Sequence, residues 1–110
     1  MGASAGSTAE FRPAALNVRR IVFTEPAHAD INRLEAWLIE HGAPYARGLG
    51  LELEAAISGL IEFPERGPVS RTGRYRKHYV IFHSNQYVIQ YQVRHDAVVI
   101  MRIRHSLERR

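Results

Sequence analysis

The sequence predicts an α+β domain in which a helical hairpin packs on a small, mainly antiparallel sheet, in the order β-α-α-β-β-β. Two observations favour this class. The last third of the chain holds three runs rich in Val, Ile, Tyr and Phe, separated by short polar breaks, which is typical of a meander of strands. The middle of the chain repeats its apolar residues at the spacing of amphipathic helices. A length of 110 residues fits one such domain with a single core.

A first strand is expected at residues 18–23, which are short and β-branched. Thr24 can cap the following helix by accepting an amide hydrogen bond, and Pro26 suits the first turn because no donor is needed there. The helix then carries an apolar stripe formed by Ala27, Ile31, Leu34 and Leu38. Asp30 is expected on the opposite, polar side, and Gly42 supplies a left-handed stop.

A second helix is predicted between Pro44 and Pro64. Its stripe consists of Ala46, Leu49, Leu53, Ala56, Ile57 and Leu60. Three glycines are expected inside it: Gly48, Gly50 and Gly59. Each costs a helix about 1 kcal/mol relative to alanine, so this helix should depend on packing, with close backbone approach as the benefit. Residues 65–73 form a polar connector to the sheet.

The remaining strands are predicted at residues 75–83, 87–94 and 97–105, with turns at 84–85 and 95–96. Alternation places the aromatic and aliphatic residues Tyr87, Ile89, Tyr91 and Val93 on one face of the third strand. In the last strand it sets Val99, Met101 and Ile103 opposite Arg102 and Arg104. The second strand is apolar throughout its centre, so its register cannot be fixed from alternation.

The charges divide the chain into two halves. Residues 64–110 hold ten basic and three acidic side chains, a net charge of +7, whereas the first 63 residues have a net charge of −3. This polarity indicates a sheet face that meets an anionic or acidic partner. The absence of cysteine excludes disulfides and thiolate chemistry, and the six histidines lack zinc-site spacing.

The first 17 residues are small and polar, so they are expected to be a disordered arm or an added extension, with the domain at residues 18–110. No apolar run approaches the ~20 residues that a membrane helix needs. We therefore expect no membrane association and a cytoplasmic location.

Several short motifs occur in a recognisable order. They are Ala27-x-x-Asp30-Ile31, Gly42-x-Pro44-x-Ala46, Leu60 to Pro64 with Gly67, Tyr79-x-Ile81-x-His83 and Ile103-x-His105. Together they make residues 18–110 resemble the RelE/ParE superfamily of toxins from type II toxin-antitoxin modules. The resemblance implies a sheet backed by a helical hairpin, no metal or cofactor, and neutralisation by a wrapping antitoxin in a hetero-oligomer.

The superfamily divides by target. RelE-like members cleave mRNA on the ribosome, which requires proton transfer and cations for the phosphate. The candidates for those roles are Arg76, Lys77, Arg102, Arg104 and His105. His105 is more simply a strand-end histidine in a structural hydrogen bond. No tyrosine follows Tyr91, unlike in many RelE-like nucleases, and residues 103–110 are more similar to ParE, which inhibits DNA gyrase without an established hydrolytic site.

We therefore predict a ParE-like gyrase inhibitor, without catalytic residues, that is neutralised by a ParD-like antitoxin. The alternatives are a RelE-like ribosome-dependent mRNA endoribonuclease, and a non-toxic antitoxin-binding remnant or nucleic-acid-binding module. The predicted target-binding residues are Arg74, Arg76, Lys77, Arg102 and Arg104. The predicted antitoxin-binding residues are Trp37, Leu38, Leu53 and Tyr79. The arginines are spaced two apart in each strand, so all four could form one cationic patch if the registers agree.

Overall fold

The structure, a computed structural model, describes residues 19–108. Its strands are β1 (Arg20–Phe23), β2 (Arg76–Phe82), β3 (Asn85–Val93) and β4 (Ala97–His105). Its helices are α1 (Glu25–Glu40) and α2 (Leu49–Glu62), the latter preceded by a 3-10 turn at Ala46–Gly48. The predicted element order and the α+β class are confirmed. The predictions for residues 1–17 lie outside the described residues, and no helix within 19–108 is long and apolar enough to cross a membrane.

The four strands form one sheet in the order β1-β4-β3-β2. Only β1 and β4 are parallel, and β1 is so short that it pairs with no residue of β4 beyond Ile100. At that point Thr24 turns the chain into α1. Its hydroxyl donates to the Ile100 carbonyl at 2.9 Å and accepts the Ala27 amide at 3.3 Å, which confirms the predicted helix cap. Within residues 19–108, the second half of β4 therefore has no neighbouring strand on this side.

Both helices cover one face of the sheet, and the core lies between the helices and that face. The helices contribute Leu34, Leu38, Leu49, Leu53, Ile57 and Leu60, and the strands contribute Tyr87, Ile89, Tyr91, Val98, Ile100 and Ile103. Burying an aliphatic or aromatic side chain of this size stabilises the fold by about 1.5–3 kcal/mol. Both predicted helical stripes are confirmed, but the placement of Asp30 on the polar side is wrong, because this carboxylate is buried.

A bulge in β4 changes which residues face the core. Gln90 pairs with Arg102, but the next residue of β3, Tyr91, pairs with Ile100, so Met101 is an extra residue in β4. Ile100 before the bulge and Ile103 after it both lie in the core. The predicted alternation of Val99 and Met101 with the arginines is therefore wrong.

The turns follow local backbone chemistry. Gly42 has φ +72°, which confirms the predicted left-handed stop. The β2–β3 turn falls at His83 and Ser84, with φ of 50° and 68°, one residue earlier than predicted. Gly48 lies in the 3-10 turn rather than in α2, and no atom lies within 4 Å of a Cβ built on Gly50. The expected close backbone approach does not occur at either glycine.

Candidate functional site

The face of the sheet that the helices leave uncovered, named the outer face here, brings several cations together. Two rows of paired residues cross its centre: Lys77, Gln90 and Arg102 in one, and Tyr79, Val88 and Arg104 in the next. Since paired residues on adjacent strands project to the same side, Lys77, Arg102 and Arg104 share this face. The target-binding role predicted for these three residues stays a prediction, but they do lie close together.

Arg76 does not belong to this group. It pairs with Tyr91, a core residue, and therefore projects to the helical side of the sheet. There its Nη1 donates to the Gly67 carbonyl at 2.7 Å and to the Glu65 carbonyl at 3.3 Å, which fastens the connector to β2. Arg74 precedes β2 and is exposed. The predicted patch of four arginines is therefore wrong, and Lys77 occupies the place expected for Arg76.

The buried carboxylate of Asp30 organises the border between α1 and the open half of β4. Its Oδ2 accepts the Ile103 amide at 2.8 Å and Arg102 Nε at 2.8 Å, while Oδ1 accepts Arg102 Nη2 at 3.0 Å and Arg33 Nη2 at 3.0 Å. Burial alone would raise the pKa of Asp30, but the hydrogen bonds from Arg102, Ile103 and Arg33 outweigh it and lower this pKa. Asp30 therefore remains ionised, and it accepts the β4 amide of Ile103 in the place where a neighbouring strand would otherwise accept it.

Sequence reasoning missed this role, although a signal was present. Asp30 follows Ala27 by three residues and precedes Leu34 by four, which are the spacings of one helical face. A carboxylate inside an apolar stripe predicts either a helix boundary or a buried acid with partners.

His105, at the end of β4, has hydrogen bonds at both ring nitrogens. Its Nδ1 accepts the Leu107 amide at 3.1 Å, and its Nε2 lies 3.1 Å from Asn85 Oδ1. The Asn85 amide nitrogen donates to the carbonyls of Phe82 and His83, so Oδ1 is the oxygen that faces the imidazole. Nε2 is therefore the donor. His105 therefore lies at the end of a strand with structural hydrogen bonds at both ring nitrogens, and its catalytic role in a RelE-like toxin stays a prediction.

A groove of about 370 Å³ separates α1 from residues 105–108 at the end of the chain's described part. Its walls are mostly apolar and consist of Arg33, Leu34, Trp37, Tyr87, His105, Leu107 and Glu108. Glu108 closes one end, because it pairs with Arg33 and accepts the His105 amide at 3.0 Å. We name this space the α1 groove.

The four residues predicted to bind an antitoxin divide by burial. Trp37 is 48% exposed beside the α1 groove, and Tyr79 is 45% exposed on the outer face. Leu38 and Leu53 are 2% and 0% exposed and belong to the core. The prediction that these two leucines contact a partner is therefore wrong for this conformation, whereas it stays a prediction for Trp37 and Tyr79.

The free edge of β2 is only partly covered. Residues 67–70 of the connector pair with its first half, since Lys77 donates its amide to the Pro68 carbonyl at 3.0 Å. Tyr79 and Ile81 follow at intervals of two, so their backbone amides and carbonyls also point away from β3. The side chains of both are exposed. In the described part of the chain, this second half of β2 is an open edge with apolar side chains, to which another strand can add.

A smaller groove of about 210 Å³ lies on the outer face. It is lined by Lys77, Tyr79, Val88, Gln90, Arg104, His105, Ser106 and Glu108.

Two further histidines lie outside this groove. His78 pairs with Ile89 and lies on the helical side of the sheet, where burial and then the charge of Arg66 lower its pKa. The ring of His83, in the β2–β3 turn, stacks on the ring of Tyr45 with 3.9 Å between the ring centroids. Within residues 19–108, no group of three His, Asp or Glu side chains could hold a metal ion.

Comparison with solved structures gives the class of the fold. The chain is similar to a chain from the chromosomal ParDE toxin-antitoxin system of Pseudomonas aeruginosa, with a TM-score of 0.67, 15% identity, and coverage of 81% of this chain and 97% of the other. It is also similar to a chain of the RelBE2 toxin-antitoxin complex from Mycobacterium tuberculosis, with a TM-score of 0.53, 26% identity, and coverage of 79% and 96%. The architecture is that of the small α+β toxins.

Sequence comparison gives the family. The family model for the ParE toxin of the type II toxin-antitoxin system parDE matches residues 21–110. Two Caulobacter vibrioides relatives are Toxin RelE3, 40% identical over 86 residues, and Toxin RelE1, 41% identical over 85 residues. The alignments cover 76% of this chain in both cases, with 90% and 89% of the relatives. The chain belongs to the ParE family of type II toxins, within the ParE/RelE superfamily.

Proposed function

We propose that this toxin is neutralised by a ParD-like antitoxin and that, when free in the cytoplasm, it inhibits DNA gyrase by protein contact. One observation carries the choice of target. The groove on the outer face collects the cations Lys77 and Arg104, but its imidazole and its carboxylate, on His105 and Glu108, are already engaged in structural contacts. Such a surface favours binding an acidic partner over cleaving RNA.

The chemistry of RNA cleavage explains this preference. A base must accept the proton of the attacking hydroxyl, and an acid must supply one to the leaving oxygen. His105 uses Nδ1 to accept and Nε2 to donate within the protein, and Glu108 uses one oxygen to accept the His105 amide and the other to pair with Arg33. Either group would have to release these partners before it could transfer a proton.

The antitoxin is proposed to occupy two surfaces. An amphipathic helix fits the apolar α1 groove beside Trp37, and an extended segment can pair with the open half of β2 at Tyr79 and Ile81. The net charge of +7 on residues 64–110 favours an acidic partner. Trp37 is the only tryptophan in the sequence, so its emission reports on occupancy of the groove.

The test of the target uses purified toxin in two assays. It should inhibit supercoiling by gyrase or trap cleaved DNA, and it should leave ribosome-bound mRNA intact in primer extension. Lys77→Ala and Arg104→Ala should weaken gyrase inhibition, whereas Arg47→Ala, which removes an exposed cation from the helical layer, should not. Codon-specific mRNA cuts with unaffected gyrase would contradict the proposed target.

The second candidate is a RelE-like, ribosome-dependent mRNA endoribonuclease. It is favoured by the names of the Caulobacter vibrioides relatives, RelE3 and RelE1, at 40% and 41% identity. In that case His105 would act on the RNA, and His105→Gln would abolish mRNA cleavage while antitoxin binding is retained. Expression without growth arrest would instead indicate a non-toxic antitoxin-binding remnant.

A further inference from the structure

We propose that Asp30 is a positioning residue for target recognition: it fixes the Arg102 guanidinium at the border of the outer face, where Arg102 binds a carboxylate of the protein target. The inference rests on the proposed function in one respect, since it requires that the target bind the outer face. It assigns distinct roles to two arginines that contact the same buried acid.

The geometry of the pair supports this assignment. Arg102 approaches Asp30 through two parallel contacts, Nε to Oδ2 at 2.8 Å and Nη2 to Oδ1 at 3.0 Å. The Asp30 side chain is 3% exposed, whereas the Arg102 side chain is 38% exposed. Because the guanidinium is a rigid planar fork, the contacts through Nε and Nη2 direct Nη1 away from Asp30. A second carboxylate can therefore be bound without any rearrangement of Arg102.

The cluster holds two carboxylates and two arginines, and the two arginines have different surroundings. The Ile103 amide donates to Asp30 Oδ2 at 2.8 Å, and Arg33 supplies a cation at 3.0 Å from Oδ1. Arg33 is also paired with Glu108, so the charges of both carboxylates are balanced only when Arg102 contacts Asp30 as well. Of the two arginines, Arg102 is the one that shares a cross-strand row with Lys77 and Gln90 on the outer face.

A fixed guanidinium has a specific advantage in binding. Ordering a long side chain on association costs free energy, and a side chain that is already ordered in the free protein avoids that cost. Lysine would retain the charge at this position but not the two parallel contacts. The proposal therefore predicts that target recognition depends on the shape of Arg102 and on its attachment to Asp30, rather than on charge alone.

The test measures growth arrest against toxin level in cells, together with the melting temperature and antitoxin affinity of the purified variants. Arg102→Lys keeps the charge, and Asp30→Asn keeps an acceptor for the Ile103 amide. Both should require about tenfold more toxin, or a larger excess, for the same arrest, because a charge-assisted two-point contact is lost. Antitoxin affinity should stay within about twofold, since a tenfold change would correspond to a lost contact.

Matched controls separate positioning from stability. Ile57→Val and Ile57→Ala remove one or more buried carbons from the core, away from the outer face, and give a graded loss of melting temperature. The proposal is wrong if Asp30→Asn is as toxic as the Ile57 variant of equal melting temperature. If Asp30→Asn does not fold, Arg102→Lys decides, and full toxicity of that variant overturns the proposal.

The outcome is distinguishable from failure of the proposed target. Wild-type toxin that arrests growth by cutting mRNA would contradict gyrase inhibition. Loss of arrest in the two variants would then still support the positioning of Arg102 by Asp30, but it would overturn a protein carboxylate as the ligand of Arg102. Wild-type toxin without any effect on growth contradicts both proposals.

Discussion

Among the glycines within residues 19–108, Gly67 is the one at which a side chain would meet the closest backbone atom. A Cβ placed there would lie 2.2 Å from the Lys77 carbonyl oxygen and 2.9 Å from the Tyr91 hydroxyl. The carbonyl belongs to the backbone of β2 and cannot rotate away. Gly67→Ala should therefore push the connector off the edge of the sheet, even though alanine is the smallest residue with a Cβ.

The expected loss can be built from its parts. Forcing a methyl group into a closely packed site costs about 1–3 kcal/mol. Two hydrogen bonds hold the connector against the sheet at this point. The Gly67 amide donates to the Tyr91 hydroxyl at 3.1 Å, and the Lys77 amide donates to the Pro68 carbonyl at 3.0 Å. Weakening them adds about 1 kcal/mol each, so the total is about 3–5 kcal/mol. In a domain of this size that lowers the melting temperature by about 15–25 °C.

Urea denaturation followed by circular dichroism measures the change, and Gly50→Ala provides the matched control. No atom lies within 4 Å of the Cβ built on Gly50, which lies inside α2. Its replacement by alanine should stabilise the protein by about 0.5–1 kcal/mol through helix propensity. If Gly67→Ala remains within about 1 kcal/mol of wild type, the close approach of connector and β2 is not a constraint on the fold.

Three further predictions concern stability. Burial and the Arg66 charge lower the pKa of His78 below its ordinary 6.5. The stability that neutral His78 contributes is therefore present above pH 6.5 and is lost as the pH falls through the lowered pKa. His78→Gln should flatten the decline of melting temperature in that pH range. Ser84→Gly should raise stability by about 0.5 kcal/mol, because φ of 68° strains a residue with a Cβ; an unchanged urea midpoint would contradict this. Tyr91→Phe should cost about 1–3 kcal/mol in the same assay, because it removes the buried hydroxyl that donates to Pro64 at 2.8 Å; a neutral result would mean that water replaces the bond.

Local signals were enough to predict most of the fold. Thr24 and Gly42 mark the two ends of α1 by capping chemistry that depends only on neighbouring residues. The helical stripes and β4, predicted at residues 97–105 and observed as Ala97–His105, follow from periodicity and β-branching. The bulge at Met101 could not be predicted, because residues 97–101 are apolar on both possible faces and the bulge is defined only by pairing with β3.

The candidate site depended on information that the sequence does not carry locally. A spacing of two correctly places Arg102 and Arg104 on one face. Whether Arg76 lies on that face is decided by its pairing with Tyr91 of β3, which places Arg76 on the opposite, helical side. The role of Arg102 depends on a still more distant fact, the end of β1 at Phe23, which leaves the Ile103 amide for Asp30 to satisfy. Composition could therefore indicate that the sheet half is basic, but only the pairing of strands determines which cations act together. For this reason the outer face should be tested through Lys77, Arg102 and Arg104, and Arg76→Ala should be interpreted as a change in the connector.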